Sequence, residues 1–244
     1  MMNRIKPDVI IHAAAFTAVD AAERECELAY AINAYGTRNL ALAAQQHRAK
    51  LLYVSTDYVF DGKKGSYVET DDPVPLNVYG RSKLLGEKFA ATLCEKHYIV
   101  RTSWLYGAGG NNFVKKIYAA SCRQSKLSAS TENFGSPTYA HDLAHFIRLL
   151  IKTDKYGIYH AAGRGGCSRY EFAEAILKTA CVDHVHITPV TADAFQLSAK
   201  RPCDTSLDDL AIRRNQLPRF RHWRLALEEY IKVDPYFKEG MRPL

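Results

Sequence analysis

Lys50-Leu-Leu-Tyr-Val-Ser-Thr56 is a short apolar run that closes on two hydroxyl side chains. Such a run, without polar alternation, is the pattern of a strand buried on both faces of a parallel sheet. Upstream, Asp20 to Gln46 carries Ala, Leu and Ile at helical spacing, and Pro7-Asp-Val-Ile-Ile-His-Ala-Ala-Ala15 reads as a second buried strand. Downstream, a loop from Asp61 to Leu76 leads to a helix over Gly80 to Glu95 and to the apolar stretch His97-Tyr-Ile-Val-Arg-Thr-Ser103. Strand, helix, strand, helix, strand predicts an α/β fold with a doubly wound, Rossmann-like parallel sheet.

Beyond Trp104 the rhythm loosens. Gly107 to Asn112 is a turn, Phe113 to Cys122 and Ala140 to Lys152 are helical, and Gly157-Ile-Tyr-His-Ala-Ala162 reads as a further inner strand. Arg169 to Thr179 (amphipathic), Val185 to Val190 (β-like) and Leu225 to Val233 (helical) suggest a smaller C-terminal lobe. The expected division is a doubly wound part over 1–110 and 139–165, with a smaller lobe over 111–138 and 166–244.

The 244 residues carry 33 basic and 26 acidic side chains, hence a net charge of +7, with 47% hydrophobic and 24% charged residues. These are ordinary globular proportions and exclude a disordered or fibrous chain. No apolar run reaches the roughly eighteen residues of a membrane span, and no signal-type stretch opens the chain. A soluble, cytoplasmic protein is expected. Six scattered cysteines form no CxxC pair, so neither zinc nor a redox couple is signalled. The positive balance suits an anionic ligand. Arg213 to Arg224 is basic with aromatics, but no nucleic-acid fold motif accompanies it. His141 and His145 lie at i and i+4 without a third ligand and do not make a metal site, and His12 reads as a packed strand end.

Chemistry concentrates in Tyr79-Gly80-Arg81-Ser82-Lys83. A Tyr and a Lys at i and i+4 share one helical face, and an ammonium near a phenol favours the phenolate, drawing its pKa down from about 10. Such a phenol can hand a proton to a carbonyl oxygen. The pair alone carries no weight, because this composition produces one by chance. Context adds to it: Ser55-Thr56-Asp57-Tyr58-Val59-Phe60 stands at the carboxyl end of the central strand, where ligands bind in open α/β sheets.

Ser55 to Gly62, Tyr79 to Lys83, and Arg101-Thr-Ser-Trp-Leu-Tyr-Gly107 together resemble the dTDP-4-dehydrorhamnose reductase family of the extended short-chain dehydrogenases. So do Ala13-Ala-Ala-Phe-Thr-Ala-Val-Asp20, Gly135-Ser-Pro-Thr138 with Asp142-Leu-Ala144, and Lys200-Arg-Pro202 with Ser206-Leu-Asp208. The resemblance implies NADPH or NADH as coenzyme and a nucleotide-linked 4-ketohexose as substrate, without nucleic acid or membrane as partner; a homodimer is compatible with it. It implies Tyr79 as proton donor, Lys83 as its tuner and a ribose ligand, and Thr56 as partner of the substrate carbonyl. Ala15, Phe16 and Thr17 would line the coenzyme, with Thr56, Asp57 and Trp104 against the sugar nucleotide. Asn33 would either position Lys83 through a water or be a packed residue.

The chain departs from that pattern at its start. No G-x-x-G-x-x-G or G-x-G-x-x-G turn, the pyrophosphate cradle of dinucleotide folds, occurs. With about thirty residues per βαβ unit, roughly fifty to sixty residues of the family pattern are unmatched. The expectation is therefore an N-terminally truncated sheet whose first strand is an exposed apolar edge, with weakened coenzyme binding. Two function classes follow: a reductase, or a non-catalytic regulatory or binding subunit resembling the methionine adenosyltransferase β subunit.

Overall fold

The computed structural model describes residues 2–238. In chain order the elements are α1 (Met2–Ile5), β1 (Val9–His12), α2 (Val19–Arg24), α3 (Cys26–Tyr30), a π-helical turn (Ala31–Tyr35), α4 (Gly36–Gln46), β2 (Lys50–Thr56) and α5 (Val78–Leu93). Next come β3 (His97–Thr102), β4 (Leu105–Tyr106), α6 (Phe113–Ser121), β5 (Lys126–Ser130), β6 (Phe134–Gly135), β7 (Thr138–Tyr139), α7 (Ala140–Leu150) and β8 (Gly157–His160). The chain continues through β9 (Cys167–Ser168), α8 (Arg169–Thr179), β10 (His186–Val190), α9 (Leu210–Arg214), α10 (Trp223–Val233) and α11 (Pro235–Lys238).

The sheet runs β1-β2-β3-β8, all parallel. Because successive side chains on a strand face opposite ways, the run at 50–56 feeds two cores. Leu51 and Tyr53 pack with Ala41 and Ala44 of α4 and Ala90 of α5. Leu52 packs on the other side with Phe146, Ile147 and Leu150 of α7. Only a strand covered on both faces can be apolar throughout, which is why this segment is readable. A separate cluster joins α6, α8, α10 and the parallel β5/β10 pair around Phe172, Trp223 and Tyr230. Among the described residues no helix is long and apolar enough to cross a membrane.

β1 is an edge strand, and Ile11 remains 49% exposed. Its ladder ends at His12, so the strand expected to reach Ala15 is shorter. From Ala13 the chain leaves the sheet, and the backbone of Phe16 is bound instead by the Asn33 side chain: Asn33 Oδ1 accepts from its N–H (2.8 Å) and Asn33 Nδ2 donates to its carbonyl (3.1 Å). The single helix expected over Asp20 to Gln46 is likewise divided, by Glu25 and by the π turn. π turns occur where a helix makes room for a functional contact, and this one carries Asn33, which is fully buried.

α5 starts two residues before the sequence expectation because two side chains complete its first turn. Asn77 Oδ1 accepts from Gly80 N–H and Glu23 Oε1 accepts from Val78 N–H, both at 2.8 Å. Each satisfies a backbone donor that a helix start otherwise leaves open. Gly80 is required by close approach: a Cβ there would lie 2.2 Å from the carbonyl oxygen of Tyr58. Tyr79 is thereby pressed against the loop that follows β2.

Candidate active site

The loops leaving the carboxyl ends of β1, β2 and β3 carry the candidate residues, and α5 closes over them. Thr56 ends β2, with Asp57 beginning the short helical turn behind it. Tyr79 and Lys83 lie one turn apart on α5. The rings of Tyr58 and Tyr79 meet edge to face with centroids 5.9 Å apart. Thr56, Asp57, Tyr79 and Lys83 thus gather at one end of the sheet.

Burial dominates the electrostatics. It raises the Tyr79 phenol above its ordinary value, and the facing Thr56 hydroxyl offsets part of that rise. Lys83 is pulled down to about 7 by burial, partly countered by the charge of Glu87. The Lys83 ammonium donates to the Val54 carbonyl at 2.6 Å and sits 4.1 Å from the Tyr53 ring centroid. The shift expected for Tyr79 therefore runs the other way in this state. Lys83 is engaged with strand β2 rather than with the phenol, and desolvation prevails.

Asp57 is 3% exposed. Its carboxylate accepts from the hydroxyls of Thr56 (3.0 Å), Ser103 (2.8 Å) and Thr205 (2.5 Å). Burial raises its pKa, and these hydroxyls pull it back. Asp57 joins the ends of β2 and β3 to the C-terminal segment. It also turns the Thr56 proton toward itself, while Thr56 Oγ1 accepts from Tyr58 N–H at 3.2 Å.

Beside this cluster opens a cavity of about 240 Å³ lined by Tyr58, Trp104, Phe113, Arg169, Leu197 and Arg201, among others. Trp104 adopts φ +44°, a conformation rare for an aromatic residue and characteristic of constrained sites. Its indole lies on Gly135, where a Cβ would come within 2.5 Å of the ring. Arg201 reaches Asp20 in a two-point ion pair (3.2 and 2.6 Å), and Asp20 also accepts from Ala199 N–H at 3.0 Å. The cavity wall is thus strapped to the helix that follows Ala15–Thr17. Ala15 and Phe16 are half-buried and Thr17 is exposed on that segment.

Several contributors escaped sequence reasoning. Arg169 follows Ser168, whose hydroxyl and Glu171 form a capping box. That pattern marks a helix start and says nothing about a pocket. Ser103, Thr205 and Glu87 carry no local signal either. Asn33, named from the sequence as a positioning or packed residue, is fully buried, binds the Phe16 backbone and donates to Ser82 Oγ at 2.9 Å. Arg213, Arg219 and Arg221 of the basic C-terminal segment pair with Asp208, Asp209, Asp142 and Glu229.

Comparison with known proteins places this geometry in context. A family model described as RmlD substrate binding domain matches residues 1–234. The dTDP-4-dehydrorhamnose reductase of Aggregatibacter actinomycetemcomitans is 40% identical over 240 residues, covering 93% of this chain and 82% of that protein. The spore coat polysaccharide biosynthesis protein SpsK of Bacillus subtilis is 39% identical over 228 residues, covering 93% and 80%. A crystal structure of dTDP-4-dehydrorhamnose reductase from Bacillus anthracis in complex with NADP is 44% identical, with a TM-score of 0.93 over 95% of this chain and 82% of that one.

Proposed function

The chain belongs to the dTDP-4-dehydrorhamnose reductase family, and on that premise we propose that it catalyses the NADPH- or NADH-dependent reduction of the C4 ketone of dTDP-4-dehydro-6-deoxy-L-mannose to dTDP-L-rhamnose. The observation that carries this reading is the convergence of Thr56, Tyr79 and Lys83 beside a cavity walled by Trp104 and Arg169. The NADP complex of the similar Bacillus anthracis enzyme supports the coenzyme.

The donor set suits the nicotinamide–ribose half of such a coenzyme. Lys83 donates to one acceptor, Val54 O, and an ammonium has three protons, so two are available for ribose hydroxyls. The segment through Ala15, Phe16 and Thr17 lies at the strand end where dinucleotides bind, and Asn33 fixes the backbone of Phe16. When bound, the nicotinamide supplies the hydride. Tyr79 delivers its proton to the ketone oxygen, and Lys83, charged, stabilises the phenolate that remains. Thr56 hydrogen-bonds the same oxygen after its hydroxyl rotates away from Asp57, exchanging one acceptor for another. Asp57 keeps that hydroxyl at the strand end. Arg169 supplies positive charge for the diphosphate, and Trp104 offers apolar surface to the sugar nucleotide.

In this reading 1–110 with 139–165 serves the coenzyme, and 111–138 with 166–244 serves the sugar nucleotide. The protein would work in the cytoplasm, where its free thiols stay reduced. The test is to supply the purified chain with the dTDP-linked 4-ketone and NADPH or NADH, following coenzyme oxidation and identifying the product by NMR. Formation of dTDP-L-rhamnose is expected. Nucleotide-sugar binding without turnover would replace the reductase by a binding subunit.

A further inference from the structure

Glu87 is 3% exposed and follows Lys83 by one helical turn on α5, a spacing that makes the two side chains neighbours. Its carboxylate is fully engaged. Oε1 accepts from Ser55 Oγ at 2.5 Å and from Arg101 Nε at 3.0 Å, while Oε2 accepts from Arg101 at 2.7 Å. Ser55 adjoins Thr56 on β2, and Arg101 lies on β3, where its register partner is His160 of β8. The Arg101 guanidinium extends toward that side: it lies 5.1 Å from the Phe60 ring centroid and 3.4 Å from His160 Nε2. Lys83 lies over β2, against Tyr53 and Val54. One buried carboxylate is therefore ion-paired with the buried Arg101 at 2.7 Å and lies one helical turn from the buried Lys83.

We infer that Glu87 is a positioning residue for Lys83: locked between Ser55 and Arg101, it holds the catalytic helix on the strand that bears Thr56 and keeps the Lys83 ammonium charged. Burying an ammonium favours its neutral form, and an opposite charge nearby restores the charged one. Arg101 orients Glu87 through two hydrogen bonds, and the Ser55 hydroxyl satisfies a lone pair that a buried carboxylate cannot leave open. The other titratable groups around Lys83 do not perform this task. His12, on β1, is lowered to about 4 by burial and by the Lys83 charge, so it is neutral. Tyr53 on β2 and Tyr79 on α5 are raised by burial and stay protonated. His160, beyond Arg101, is lowered to about 3 by burial and is also neutral. Glu87 is the anion of the group.

The inference deepens the reductase reading, but its test does not depend on turnover. With lysine labelled at the ε carbon, the Lys83 resonance, assigned through Lys83→Arg, is followed by NMR against pH in the full chain. Glu87→Gln keeps the shape and most hydrogen bonds while removing the charge. An opposite charge typically moves a pKa by about one unit or more, so the Lys83 midpoint should fall by about that much, and Glu87→Asp should recover part of the change. Because Glu87→Gln leaves Arg101 buried and unpaired, Arg101→Gln and the double variant Glu87→Gln/Arg101→Gln are compared as well. Arg101→Gln should raise the Lys83 midpoint, and the double variant should fall below Arg101→Gln. Equal midpoints in Arg101→Gln and the double variant would overturn the inference, whatever the reaction. Where reduction is measured, the alkaline limb of its pH profile should move to lower pH in Glu87→Gln and return part of the way in Glu87→Asp. A uniform loss at every pH would mark a purely structural residue.

Discussion

The guanidinium of Arg169 lies 3.5 Å from the centroid of the Trp104 ring. It also faces Phe113 at 4.8 Å, and the pair forms one wall of the cavity beside Tyr58. Burial disfavours the charge on Arg169, while Tyr58, Asp57 and Cys167 favour it. No carboxylate forms an ion pair with Arg169 among the described residues, so the cation is held by aromatic faces, which attract it by roughly 0.5–2 kcal/mol. A cation kept in an apolar wall without an anion is prepared to receive one.

The first prediction follows from that arrangement. Hydrogen bonds to charged groups contribute about 1.5–3 kcal/mol, and about 1.4 kcal/mol is a factor of ten in affinity. Arg169→Leu should therefore weaken dTDP by at least about tenfold while leaving NADPH affinity unchanged. Trp104→Ala, which removes the cation's platform, should act in the same direction with a smaller effect. Calorimetric titration with each ligand decides the matter, since dTDP affinity retained within twofold would remove Arg169 from the anion site.

Tyr79→Phe keeps the ring that packs on Tyr58 and removes only the hydroxyl. General acid catalysis contributes about 10² to 10⁴ in rate, so kcat should fall by that range with KM nearly unchanged. Thr56→Val removes the second hydroxyl at the same oxygen, and with it a donor to Asp57. Its kcat should fall less. A loss below tenfold for Tyr79→Phe would move the proton donor elsewhere.

The sequence makes the sheet legible because its inner strands must be apolar on both faces, as Lys50 to Thr56 is. It shows Tyr79 and Lys83 because their spacing is local to one helix. The division of the helix between Asp20 and Gln46 is not legible, since Ala and Leu recur in the same way through an α turn and a π turn. What distinguishes the π turn is the contact of Asn33 with Phe16, a tertiary event. Arg169, Thr205 and Glu87 are hidden for a related reason: each reaches the site from a distant segment or through buried partners. The sense of the Tyr79 shift is hidden too, because desolvation depends on everything that covers the phenol.

β1 yields a prediction about association. Its outer edge is unpaired among the described residues, and Ile11 presents half of its surface to solvent. Open, apolar edge strands template pairing with other chains. Residues 1–244 expressed alone should self-associate with rising concentration, and Ile11→Lys should suppress this without lowering the thermal midpoint, because an exposed site loses little packing. Sedimentation velocity on both proteins tests it. Identical concentration dependence would place any association at another surface.

The last prediction concerns acid. Burial lowers His160 to about 3, with Arg101 adding to the effect, and lowers His12 to about 4, with Lys83 adding. The hydrogen bonds agree for His160: Nδ1 faces the carbonyls of Tyr67 and Asp208 at 3.0 and 3.2 Å and must donate, so Nε2, 3.4 Å from Arg101, accepts. Both rings are neutral in the fold, whereas in the unfolded chain each takes a proton near pH 6.5. The unfolded state then binds more protons below that pH, so stability falls as pH falls, by at most about 1.4 kcal/mol per unit for each ring. The loss begins near pH 6.5 and continues toward pH 4 for His12 and pH 3 for His160. The partnered carboxylates of Asp20, Asp61 and Asp71, which are lowered from 3.8, lose their contribution mainly below that window. Urea midpoints at pH 7 and pH 5 bracket this loss, to which Lys83, lowered to about 7, and His222, lowered by burial, also contribute, so the His160 share is read from a variant. His160→Gln keeps an amide donor and a carbonyl acceptor but cannot be protonated, so the difference between the two midpoints should shrink. A difference as large as that of the unmodified chain would mean that His160 is not a source of the acid sensitivity.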